Sequence, residues 1–248
     1  MMQNTDRSFI GEGTVHGRLF GSQDPFLPFG NCDAFSISYA TERKALPNYM
    51  GGGGNRNVRE RVSDVTASIG LYDITAENIA LLTRGTTSVV PTTPVADEAL
   101  KSKGVSDELI PFNHLPDPKQ AITVKSVQGV SLVPGTDYRL TPHGIQVIAG
   151  GGVDDAGVKV SYTPLPAKVV QMLNGSDAEW ELYIAGLNDA QSGTPFALRC
   201  HRVKFGHLSE LAVFGQEYLK LTGPLTLLAS PQRTLGEISA FCEMQLAS

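Results

Sequence analysis

The sequence predicts a mainly β fold: a body of long alternating strands with a short flanking α-helix, a long inter-strand loop and an inserted small all-β lobe. Three observations lead there. Long runs alternate apolar and polar residues with period two, as where Phe35, Ile37 and Tyr39 oppose Ser36 and Ser38. Shorter runs recur at close spacing between Ala121 and Thr163, separated by glycine and proline turns. Helical periodicity is confined to two short pieces.

The elements follow in chain order. Residues 1–30 contain Gly11, Gly13, Gly17, Gly21 and Gly30 with Pro25 and Pro28, a composition that reads as an N-terminal arm of turns and not as a core element. Cys32 to Tyr39 is the first long strand. The stretch Tyr49, Met50, Gly51, Gly52, Gly53, Gly54, Asn55, Arg56 lacks periodicity, so residues 42–60 read as a long loop, and loops of that length are usually functional or disordered. From Arg61 to Ile74 alternation returns, with Val65, Ala67, Ile69 and Leu71 on one face and Gly70 marking a bulge or a close approach. Thr75 caps a helix over residues 76–84, which Gly85 ends. Pro94 starts, and Gly104 stops, a second helical piece over residues 95–103. The lobe is assigned to residues 116–165, bounded by Pro116 and Pro118 on one side and Pro164 and Pro166 on the other, leaving residues 1–115 and 166–248 as the body. Strands then return at Trp180 to Ile184, Phe196 to Phe205, Tyr218 to Leu228 and Ile238 to Leu246.

Composition excludes several classes. With 25 acidic against 20 basic residues the chain carries −5, which argues against tight binding to nucleic acid phosphates. Three cysteines, Cys32, Cys200 and Cys242, are too few for a disulfide scaffold and point to a reducing compartment. The first residues lack an apolar signal region and no stretch reaches the roughly 20 apolar residues of a membrane span, so a soluble protein is expected.

The residues offer little chemistry. Gly11-Glu12-Gly13-Thr14-Val15-His16-Gly17 spaces its last glycine one residue too far for a dinucleotide loop, and the four glycines lack the Lys-Ser/Thr of a phosphate loop. Cys200 and His201 are strand neighbours that point to opposite faces, so with His207 they make a poor metal set. His16, His114 and His143 lie in turn-like stretches. No Gly-x-Ser-x-Gly elbow exists, and Asp107-Glu108 and Asp154-Asp155 read as solvated loop charge. The expectation is a protein that is not an enzyme, with no catalytic residue, metal or cofactor.

Five segments, in order, resemble the major tail tube proteins of long-tailed, non-contractile bacteriophages. They are Phe35-Ser36-Ile37-Ser38-Tyr39; the Gly51 to Gly54 loop; Ala76-Glu77-Asn78-Ile79-Ala80-Leu81-Leu82 closing at Gly85; Pro134-Gly135-Thr136-Asp137-Tyr138 with Val158-Lys159-Val160-Ser161-Tyr162; and Ala185-Gly186-Leu187-Asn188-Asp189-Ala190. The C-terminal segment, through Thr222-Gly223-Pro224-Leu225 and Ser230-Pro231, lacks the acidic turn of close relatives. The resemblance implies a β-sandwich or barrel-like body with one flanking α-helix and a structural virion protein: six copies close into a ring, and rings stack into a tube through which double-stranded DNA is ejected without specific binding. It implies an inter-ring contact loop at Tyr49 to Arg56, subunit-bridging arms at residues 1–20 and the C-terminal strand, and an outer lobe. Implied partners are further copies, the tape measure protein, the tail terminator and distal tail or baseplate proteins, with assembly in the host bacterial cytoplasm and residence in the virion tail. A lumen sharing the chain's negative sign would repel phosphate; Asp64, Asp73, Glu237 and Glu243 are its candidate acids. The alternative is a β-sandwich binding module of a phage tail or baseplate that recognises a cell-surface glycan. A hydrolase assembled from distant segments is the third class.

Overall fold

The computed structural model describes residues 7–175, 177–233, 236 and 238–247. Strands β1 (Gly11–Leu19), β2 (Leu27–Pro28), β3 (Cys32–Pro47) and β4 (Asn55–Leu71) lead into the helix α1 (Ala76–Thr83). Then come β5 (Thr86–Val89), β6 (Val95–Leu100), β7 (Leu109–Pro111), β8 (Thr123–Ser126), β9 (Tyr138–Thr141), β10 (Gly144–Val147), β11 (Val158–Tyr162) and β12 (Lys168–Gln171). Strands β13 (Glu179–Asn188), β14 (Thr194–Phe205), β15 (Leu221–Leu227) and β16 (Cys242–Leu246) complete the described chain. The mainly β expectation, with one flanking helix, is met. Two units result: Met1–Thr86 with Val170–Ser248, and Thr87–Val169.

In the first unit one antiparallel sheet runs β2-β1-β13-β14-β15-β4-β3. Strand β14 gives one edge to β13 and divides the other, pairing Phe196 to Cys200 with β16 and Val203 to Phe205 with β15. Val15, Ile69, Leu71, Leu182, Val203 and Leu221, drawn from β1, β4, β13, β14 and β15, are buried in a single cluster. A flat sheet could not bring these strands together, so the sheet bends around its own core. Helix α1 lies against β15: Leu82 is fully buried, and a Cβ on Gly223 would strike its side chain. The Thr75 hydroxyl accepts the Asn78 N–H at 3.1 Å, as the capping pattern predicts, and Arg84 takes the left-handed conformation that ends the helix. Buried Asn78 donates from Nδ2 to the carbonyls of Phe29 and Asp73, both at 2.8 Å, tying the chain before β3 to the helix.

The first thirty residues correct the sequence reading. Gly11 to Leu19 is not an arm but strand β1, paired along its whole length with β13, and Val15 belongs to the core. Its glycines are packing residues. A Cβ on Gly13 would run into the Ala185 carbonyl, and one on Gly17 into the Phe29 ring. Gly70 is a close approach too, wedged against Asp33 and Lys220 beside a register shift between Cys32 and Ala34.

The second unit holds two three-stranded sheets, β7-β10-β9 and β6-β11-β8, around Ile110, Val124, Tyr138, Ile145, Val158 and Val160. It therefore begins well before Pro116, because β6 and β7 pair with β11 and β10. The helix expected over 95–103 is strand β6; pairing with β11 overrides its local propensity. Strands β5 and β12 pair as a ribbon. The Pro134 to Asp137 turn is stitched by Asp137, whose carboxylate accepts the Val133 and Gly152 N–H groups, each at 2.7 Å. Those two bonds, the Val133 one first, hold its pKa below the ordinary 3.8.

Two outcomes are expected. Asn78→Ala removes both hydrogen bonds of a buried amide and should lower the urea unfolding free energy by about 1–3 kcal/mol; an unchanged midpoint would contradict the tie. Because the folded pKa of Asp137 is depressed, its contribution is present above 3.8 and lost as pH falls through the folded value. Asp137→Ala should therefore melt below the parent protein at neutral pH, with the gap closing in strong acid, read by near-ultraviolet circular dichroism.

Candidate functional site

Strands β3 and β4 form one hairpin with two halves. Near the body Phe35 opposes Ile69 and Ile37 opposes Ala67, with Val65, Ala67, Ile69 and Leu71 buried as their alternation predicts. Tyr39, expected on the same inward face, is 73% exposed because the body ends there. At that point the register shifts: Ala40 faces Asp64 and Thr41 faces Val62, leaving Ser63 as an extra residue. Such a bulge adds twist where the ribbon leaves the sheet. Beyond it the pairing continues from Thr41 through Ala45 opposite Val58 and Leu46 opposite Asn57 to Pro47, about 20 Å of two-stranded ribbon.

Every residue from Tyr39 to Asp64 is exposed except the half-buried Glu42 and Asn48. The reading of residues 42–60 as one loop is thus corrected: only 48–54 lie outside the strands. Apolar alternation vanishes there because neither face is buried, while the backbone ladder persists. A different signal marks it. Glu42-Arg43 and Glu60-Arg61 sit symmetrically about the four glycines, so that Glu42 meets Arg61 and Arg43 meets Glu60. Arg61 Nε donates to Glu42 at 3.0 Å and Lys44 lies 3.3 Å from the same carboxylate. Being solvated, these pairs contribute little each.

The tip gathers all eight predicted contact residues. Gly51, Gly52, Gly53 and Gly54 have φ of +94°, +85°, +69° and +76°, which residues with a Cβ resist. Asn48, missed by sequence reasoning, organises the turn: its backbone N–H donates to the Gly54 carbonyl at 3.0 Å, its Nδ2 to the Gly51 carbonyl, and its Oδ1 accepts the Met50 N–H. Tyr49 and Met50 are 83% and 82% exposed, and the Arg56 guanidinium lies 3.8 Å from the Met50 sulfur. Asn55 opens β4. With Leu46, Val58 and Val62 the ribbon presents six large apolar side chains to solvent. It carries five basic groups against three acidic ones, a net +2 on a chain of −5.

The predicted acids do not come together. Asp64 stands at the foot of the ribbon and Asp73 is exposed in the turn before α1, against Gly30. Glu243 lies on β16 with Arg233 NH1 at 2.7 Å, a bond that holds its carboxyl below the usual range. Glu237 lies outside the described residues.

The most polar chemistry sits at a second bulge, where Trp180 opposes Val203 but Leu182 opposes Cys200, so that Glu181 faces both His201 and Arg202. His201 lines a cavity of about 180 Å³ with Arg18, Glu181 and Arg233. Burial, then Arg233, lowers its pKa below the ordinary imidazole value. Arg18 is bound to Glu181 at 2.8 Å and Arg202 to Glu179 at 2.7 Å. Cys200, next to His201, belongs to the apolar cluster, and burial pushes its thiol up to about 12, the opposite of a reactive thiolate. Among the described residues no three potential metal ligands converge.

The geometry defines a β protein from whose sheet a two-stranded ribbon, Tyr39 to Asp64, extends with nearly all its residues exposed. By sequence, residues 8–245 match the family described as protein of unknown function UCP028589, and the chain belongs to that family. A comparison with curated proteins finds no match.

The two halves of the hairpin should separate in amide exchange on dilute protein. Amides from Val65 to Leu71 are expected to be protected and those from Thr41 to Pro47 and Asn55 to Val62 to exchange orders of magnitude faster. Uniform protection would show the arm to be packed on the body.

Proposed function

We propose that this chain is a self-assembling structural subunit, the major tail tube protein of a long-tailed, non-contractile bacteriophage, whose stacked rings form the conduit for DNA. The observation that carries this reading is the ribbon from Tyr39 to Asp64, exposed on both faces and studded with Tyr39, Leu46, Tyr49, Met50, Val58 and Val62. An isolated two-stranded hairpin is marginally stable in water, so its apolar side chains favour a second surface. Charge favours a copy of the same chain: with +2 on the ribbon and −5 overall, the remainder carries −7. A head-to-tail contact closes into a ring when its rotation divides the circle, while a second such contact along the axis has no closure and polymerises, so in this reading one interface makes the ring and the arm supplies the other, between rings. In this reading Asp64, Asp73 and Glu243 are candidates for the lumen wall, and the tape measure protein, tail terminator and baseplate meet the tube's bore and ends.

The glycan-binding alternative needs an exposed aromatic platform. The one tryptophan, Trp180, does not supply it: it is half-buried, packing edge-on against Phe29 and Phe205, with centroids 5.9 and 6.1 Å away.

Deleting Gly51 to Gly54 should leave a folded monomer by sedimentation and circular dichroism that no longer forms rings or hollow rods in negative-stain micrographs of concentrated protein. Tubes of normal length from the deletion variant, or a parent protein that stays monomeric at every concentration and in the presence of tail initiator proteins, would refute the proposal.

A further inference from the structure

Two of the three cysteines face each other across β14 and β16. Cys200 opposes Cys242 in the register that also sets Leu198 against Met244 and Phe196 against Leu246. One step along, the His201 N–H donates to the Phe241 carbonyl at 2.9 Å. Hydrogen-bonded and non-hydrogen-bonded pairs alternate in an antiparallel ladder, so the cysteines occupy a non-hydrogen-bonded pair, where Cα atoms approach to about 4.5 Å and side chains project together. A disulfide accepts Cα separations of about 4.4–6.8 Å. Both side chains meet the same apolar cluster, Cys200 fully buried and Cys242 half-buried. Cys32 lies on β3 opposite Leu71, with no cysteine across from it.

We propose that Cys200 and Cys242 form a disulfide site, closed by a low-molecular-weight disulfide such as oxidised glutathione, and that the bond clamps the five-residue strand β16 onto the sheet. The more accessible Cys242 thiolate attacks one glutathione sulfur, forming a mixed disulfide and expelling a glutathione thiolate. The Cys200 sulfur, giving up its proton, then attacks the Cys242 sulfur and expels the second. The two protons end on two glutathione thiols; the protein loses two electrons and the reagent gains them. Burial raises the pKa of both thiols, so closure is slow at neutral pH and faster in alkali. The closed loop spans residues 201–241, so the cross-link restricts the denatured chain and raises the unfolding midpoint. The site stands on strand register and is independent of the assembly reading.

The test is thiol mapping of the full-length native protein after treatment with oxidised glutathione at about pH 8.5, alkylation in denaturant and peptide mass spectrometry. Alkylatable thiols should fall from three to one, a peptide pair joined through Cys200 and Cys242 should appear, and dithiothreitol should reverse both changes and the rise in melting temperature. Cys32→Ser should leave the cross-link intact and Cys242→Ser should abolish it. Three free thiols after oxidation, a cross-link through Cys32, or a mixed disulfide at Cys242 that never resolves would each overturn the proposal, and the parent protein alone suffices to detect them.

Discussion

Pairing between β3 and β4 begins inside the apolar cluster and ends in solvent, and its two halves are held by different forces. The inner half buries Val65, Ile69 and Leu71, and a fully buried aliphatic side chain is worth roughly 1.5–3 kcal/mol. The outer half has hydrogen bonds, mostly backbone and each worth about 1 kcal/mol net, and solvated ion pairs worth less. The ribbon is therefore ordered because the core fixes its base. Anything that loosens the core end of β4 would release the arm before the rest of the sheet.

Where burial is one-sided the sequence is transparent. The inner face of β4, the Thr75 cap and the Asp137 turn were all legible, since period-two alternation, a hydroxyl before a helix and a Gly-Thr-Asp turn are direct consequences of their surroundings. Elements shaped by their neighbours were not. Glycines in β1 look like flexibility until Ala185 and Phe29 fill the space a Cβ would take. Residues 95–100 follow helix punctuation yet pair with β11, a partner some sixty residues away in the chain. The outer ribbon loses its alternation because no face is buried, although the mirrored Glu-Arg pairs were there to be read. Of the candidate site, the tip residues were legible from their glycines. Asn48 was hidden among ordinary turn residues, and the separation of the acids depends on tertiary placement.

Around the bulge at Glu181 the charged side chains are paired, Glu181 itself being shared between Arg18 and Arg199, the latter at 3.6 Å. Arg18 with Glu181, Arg202 with Glu179 and Arg233 with Glu243 pair acids and bases across neighbouring segments. The β13, β14 and β16 region is thus largely neutralised by its own residues, and the charge contrast between arm and remainder rests on groups elsewhere. Strand alternation turns His201 away from the apolar cluster that takes Cys200, so two adjacent residues are both buried in surroundings of opposite polarity, and the bulge keeps Arg202 on the side of His201 while returning Val203 to the cluster.

Trp180 packs between Phe29 and Phe205 in the first unit, and the second unit contains no tryptophan. Fluorescence excited selectively in indole is consequently an optical gauge of one body alone. If the lobe of residues 87–169 melts at its own temperature, emission would stay silent through that transition while far-ultraviolet ellipticity records it. Comparing the two signals during a single heating ramp would reveal whether the inserted unit is an autonomous folding module or shares the cooperativity of its host.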